Sequence, residues 1–110
     1  MRIKTRFKIL ATCYSKKGKI LSQSTNSYTK SHPLQAHFAN ICGMPNKIYL
    51  HAEIAAILLA GKNKIHHIKI ERYKKNGDPA NAEPCPICKA AIKSFGISEI
   101  TYTTGATNYN

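Results

Sequence analysis

No stretch limits this chain more than two short motifs read as a pair. His51-Ala52-Glu53 opens an uncharged apolar run, and Pro84-Cys85-Pro86-Ile87-Cys88 follows roughly thirty residues later. Between them they supply one imidazole, two thiols and a carboxylate. Zinc takes four ligands in tetrahedral array, and a catalytic site characteristically draws three from the protein and leaves the fourth position open. His51, Cys85 and Cys88 make such a set of three. The Cys-x-x-Cys spacing suits one turn of backbone, which puts both sulfurs on the same side of a metal. Pro84 predicts a helix through Phe95, stopped by Gly96, and the dipole at its N-terminus favours thiolate over thiol. Glu53, two residues beyond His51, is near the same metal but directed differently, as suits a group that handles protons.

The rest of the chain reads as a frame for these motifs. Thr5 to Tyr14 and Lys19 to Thr25 carry aromatic and β-branched residues around Ser15-Lys16-Lys17-Gly18, which predicts a β-hairpin. Asn26 to Pro33 is a loop dense in hydrogen-bonding side chains. Leu34 to Cys42 suits a short helix with Pro33 at its first position, with Leu34, Phe38 and Ile41 or Cys42 on one face. Met44 to Leu50 connects it to a helix from His51 to Gly61 that is apolar almost all round past Glu53, and so buried on several sides. Ile65 to Tyr73 and Ile97 to Thr104 read as strands. At 110 residues the chain is one domain, residues 1–110, with a polar tail at 105–110. The order strand, strand, helix, helix, strand, helix, strand predicts a layered α/β fold.

Bulk properties exclude several classes. The longest apolar stretch, Ile54 to Ala60, is far short of the roughly 20 residues of a membrane span. Arg2, Lys4, Arg6 and Lys8 interrupt any signal peptide. The expectation is a soluble cytoplasmic protein without a membrane partner. In a reducing compartment a Cys-x-x-Cys pair points to metal rather than disulfide, and Cys13 and Cys42, in apolar surroundings, read as core. The formal net charge is +12, with 17 Lys and Arg against 5 Asp and Glu. Basic residues crowd Met1 to Lys30 and Lys62 to Lys75, whereas Ser31 to Gly61 holds only Lys47. Such a surface suits a polyanionic partner or a phosphorylated substrate, though a plainly solvated basic face would read the same. His32, before a proline in the loop, could touch a phosphate or sugar. Tyr28, Tyr102 and Tyr109 could stack on a base or serve as packing. His66 and His67, on a strand, and His37, on a helix surface, read as structural.

The two motifs together resemble the signature of the zinc-dependent cytidine and deoxycytidylate deaminase superfamily, His-x-Glu followed by Pro-Cys-x-x-Cys. The resemblance covers about Asn26 to Thr104. It implies a small three-layer α/β/α cytidine deaminase-like fold with a mixed central sheet and without the usual N-terminal helix. It implies Zn2+ as cofactor on His51, Cys85 and Cys88, and Glu53 as the catalytic proton carrier. The backbone of Ala52 and the side chain of Asn26 would orient the substrate. The reaction implied is hydrolytic: water adds at the amino-bearing ring carbon and ammonia leaves, turning cytosine into uracil. The partner implied is a cytosine nucleotide or single-stranded nucleic acid, because the segment around Cys85 to Tyr102 looks more like the deoxycytidylate and polynucleotide branches. Lys89 stands where free-cytidine deaminases commonly carry arginine. Glu83 before Pro84 resembles the tRNA adenosine deaminases, so an adenosine deaminase acting on a tRNA-like substrate is an alternative, as is a silent, basic, zinc-containing nucleic-acid-binding module. Because little precedes the first strand or follows the last, a homo-oligomer is expected.

Overall fold

A computed structural model describes residues 9–27, 30–47, 49–61, 63–74 and 76–104. In order they form strands β1 (Ile9–Tyr14) and β2 (Ile20–Thr25), helices α1 (Pro33–Ile41) and α2 (Ala52–Ala60), strand β3 (His67–Arg72), helix α3 (Pro86–Ser94) and strand β4 (Glu99–Tyr102). The strands make one mixed sheet in the order β2-β1-β3-β4, with β1 antiparallel to both neighbours and β3 parallel to β4. The expected α/β class, with three helices on a mixed central sheet, is therefore present. Among the described residues no helix is long and apolar enough to cross a membrane.

The hairpin forms where its sequence asks for it. Gly18 takes a φ of 85°, which L side chains rarely adopt, and its N–H donates to the Ser15 carbonyl. Alternation then sorts the sheet residues by face. Ala11 and Cys13 of β1 lie opposite Ile70 and Ile68 of β3, and all four are fully buried. Gln23 and Lys69, on the other side of the pleat, are exposed. Each buried isoleucine contributes about 1.5–3 kcal/mol through apolar burial.

α2 lies over β1 and β2 on the apolar face. Ser22 Oγ of β2 donates to the Ala56 carbonyl at 2.7 Å, tying the helix to the sheet. Its buried run from Ala52 to Ile57 is the burial on several sides that its uncharged sequence demands; Leu59, 65% exposed, is the exception. α3 packs beside α2, and α1 packs on α3. Phe38, Ala39, Ile54, Ile87, Cys88 and Ala91 form the apolar cluster where the three helices meet. On α1 Cys42 turns inward and Ile41 outward, which settles the alternative left open by the sequence.

One boundary differs from expectation. α3 begins at Pro86, not Pro84. A residue that precedes proline is pushed out of the helical region, so Cys85 stays extended (φ −69°, ψ 168°) and becomes the N-cap. Pro84 is buried in the approach to the helix.

Candidate metal centre

Two helix starts meet here. His51 is the N-cap of α2 and Cys85 the N-cap of α3, and neither side chain caps its own helix. Their carbonyls take the first helical hydrogen bonds, from Ala55 and Lys89. Both side chains are thus left pointing away from their helices and toward each other. Cys88, one turn into α3, is fully buried among α1 and α2 residues.

The three donor atoms converge. His51 Nδ1 is 3.1 Å from Cys88 Sγ and 3.5 Å from Cys85 Sγ, and all three ligand atoms lie within 4.8 Å of one another. Tetrahedral zinc with Zn–S of about 2.3 Å and Zn–N of about 2.0 Å would set nitrogen–sulfur separations of about 3.5 Å. The chain's own spacing therefore fits the metal, and so does its donor chemistry of one imidazole and two thiols.

Electrostatics match that role. The Cys85 thiol is pulled down to about 4, chiefly because Cys88 donates its S–H to it, with His51 adding to the effect. Cys88 correspondingly holds its proton, as the donor to Cys85 in a buried setting. The hydrogen bond with Cys85 raises His51 above the ordinary imidazole value. Metal binding would displace the proton the two sulfurs share.

Glu53 stands on the first turn of α2 and is only 5% exposed. Burial pushes its carboxyl up from the usual range. It stands two residues past His51 without belonging to the donor cluster. A cleft of about 470 Å³ opens over the centre, and His51, Glu53 and Cys85 form part of its wall. Asn26 also lines it. The Asn26 Oδ1 accepts the Ile9 N–H at 3.0 Å, and its own N–H donates to the Ile9 carbonyl, so β1 fixes the side chain with its amide nitrogen still available.

The other sequence candidates lie elsewhere. Ala52 is the buried first residue of α2. His32 is absent from the cleft lining; its Nδ1 accepts the Leu34 N–H at 3.0 Å and caps α1. His37 packs edge-on against Phe38, His67 stacks on Tyr14, and Tyr102 is exposed on β4. Tyr28 and Tyr109 lie outside the described residues.

Sequence reading missed three residues of consequence. Lys47 and Arg72 bring positive charge to the cleft wall. Gln35 is fully buried, and it bridges the Lys47 carbonyl at 3.1 Å and the His51 N–H at 3.2 Å. Lys47 had a signal, as the sole basic residue between Ser31 and Gly61. Gln35 had only its place beside the apolar stripe of α1.

The comparison with known families bears on this arrangement. The family model described as the cytidine and deoxycytidylate deaminase zinc-binding region matches residues 2–104. The chain belongs to that family. No curated protein and no solved structure matches it. The converging donors His51, Cys85 and Cys88 are consistent with the zinc site of that family.

Proposed function

We propose that this deaminase-family protein is an active hydrolytic deaminase that converts cytosine to uracil in a phosphate-bearing substrate, a nucleotide or single-stranded nucleic acid. The observation that carries the reading is Glu53: a carboxyl group buried in the cleft wall, on the helix turn that follows His51, yet outside the ligand set. A purely structural zinc site has no use for such a group.

In this reading His51, Cys85 and Cys88 hold the zinc, which when bound lowers the pKa of water to roughly 7. Glu53 takes a proton from the attacking water and delivers it to the ring nitrogen and then to the departing amine. Its raised pKa suits it to both halves of that task, because a proton carrier works best when its pKa lies near the working pH. Asn26, held by Ile9, presents its amide to the base or sugar, and the backbone of Ala52 lies beside the ligand His51. Lys47 and Arg72 supply the charge that would favour a phosphate at the cleft wall.

The test is to incubate the zinc-loaded protein with cytidine, deoxycytidylate, single-stranded DNA and tRNA and to measure ammonia and the deaminated base. Glu53→Gln should retain zinc and lose roughly 100- to 10,000-fold in rate. Turnover unchanged in that variant overturns the catalytic assignment, and no turnover on any substrate moves the reading to a silent zinc-containing binding module.

A further inference from the structure

A second cavity, of about 500 Å³, lies at the other end of the domain and takes no part in the chemistry described above. Its walls come from the β1–β2 turn, the segment after α2 and the segment after α3. Ser15, Lys16, Lys17, Lys64, His66 and Ser98 carry its polar groups. The strands fix how far it stands from the metal centre. Arg72, at the end of β3, lines the cleft, whereas His66, just before β3, lines the second cavity. At roughly 3.3 Å per residue the strand holds the two cavities about 20 Å apart. β1 repeats the arrangement, with Ile9 at the cleft and Ser15 at the other end.

We infer that this cavity is a separate anion site that takes a chain of phosphate groups. Lys16, Lys17 and Lys64 line one concavity, and no Asp or Glu is among its described lining residues. The Glu99 carboxylate lies just outside, 3.4 Å from His66 Nε2. The ends of α2 and α3 lie nearby and bring about half a negative charge each. Three lysine charges outweigh the two helix ends and Glu99 together, about two negative charges, so the cavity stays positive. Hydroxyls complete the recognition chemistry. Ser98 Oγ sits 3.2 Å from His66 Nδ1, and Ser15 Oγ holds the turn by accepting the Lys19 N–H, which fixes the backbone from which Lys16 and Lys17 project. Ammonium groups with hydroxyls around a concave wall suit the dispersed charge of phosphate oxygens, and more than one phosphate is needed to meet all three lysines. This site stands whether or not the deaminase reading holds.

Calorimetric titration of the zinc-loaded full chain with inorganic tripolyphosphate tests it. Binding is expected, weakened at least tenfold in the triple variant Lys16→Gln, Lys17→Gln, Lys64→Gln, since the loss of even one charge-assisted bond costs about that much. Ser98→Glu, which sets a carboxylate in the cavity, should weaken it as well, and Lys47→Gln in the cleft should not. Zinc content and thermal midpoint report that each variant is folded. Absence of binding, binding indifferent to the triple variant and Ser98→Glu, or binding lost equally with Lys47→Gln each overturn the site. Competition with a short oligothymidylate identifies the source of the phosphates. Displacement with a steep salt dependence assigns a nucleic-acid backbone, and tripolyphosphate binding that the oligonucleotide leaves untouched assigns a free polyphosphate.

Discussion

His51 Nδ1 lies 3.1 Å from Cys88 Sγ, although the two residues are 37 positions apart. Nothing within either helix produces this approach; it follows from α2 and α3 packing side by side with their N-termini at the same end. The candidate metal-binding side chains are thus held by the core, so metal occupancy and fold stability are expected to be linked. His51→Ala, Cys85→Ser and Cys88→Ser should each abolish stoichiometric zinc, measured by elemental analysis of the purified protein. Chelation of the parent should lower its thermal midpoint, because a ligand at 100 times its Kd stabilises by about 2.7 kcal/mol. A midpoint unmoved after the zinc has been removed would contradict the linkage.

Gln35 supports the same site from behind. Gln35→Leu removes partners from the His51 N–H and the Lys47 carbonyl, leaving two backbone groups without their bonds. At about 1–3 kcal/mol for each unsatisfied group, the expected loss is about 2–6 kcal/mol in urea unfolding, accompanied by weaker zinc binding. Unchanged stability and zinc affinity would show that His51 is positioned by other contacts.

Asn26 should reveal itself in kinetics. Asn26→Ala is expected to lower kcat/KM by roughly tenfold on the substrate that turnover identifies, the worth of one positioned hydrogen bond to that substrate. It should also lose about 1 kcal/mol of stability, since the Ile9 N–H gives up its acceptor. A loss of stability with kcat/KM intact would leave Asn26 a structural loop residue.

Cys13 gives a pH prediction away from the metal. Burial raises its thiol above the ordinary value, so the folded chain keeps the proton at pH values where the unfolded chain releases it. The stability that Cys13 provides is therefore fully present below the unfolded thiol value of about 8.5 and is lost as pH rises above it, by at most about 1.4 kcal/mol per pH unit. Cys13→Ala should show a shallower alkaline decline than the parent in thermal midpoints measured from neutral to alkaline pH. Parallel declines would refute the assignment.

Much of the fold was legible in the residues. The hairpin was marked by β-branched runs around Gly18, α1 by Pro33, and α2 by its apolar run ending at Gly61. The start of α3 was not, because two prolines compete there, and only the restriction that Pro86 places on Cys85 decides between them. His32 read as a substrate contact because it sits in a polar loop before a proline, a position that serves equally well as a helix cap. Gln35 was silent because its bonds span 12 and 16 positions, and local pattern carries no information about partners that distant.

The sequence by itself determined the chemistry available: one imidazole, two thiols and one carboxylate, each set by motif spacing at a helix start, and a basic excess of +12. Tertiary structure alone decided how these groups are deployed. It buried Glu53, where loss of water raises its proton affinity, and it gathered Lys47 and Arg72 at the cleft over the donor cluster and Lys16, Lys17 and Lys64 at a second cavity. Spacing acts within a turn of backbone, whereas desolvation and charge clustering depend on which distant segments pack together.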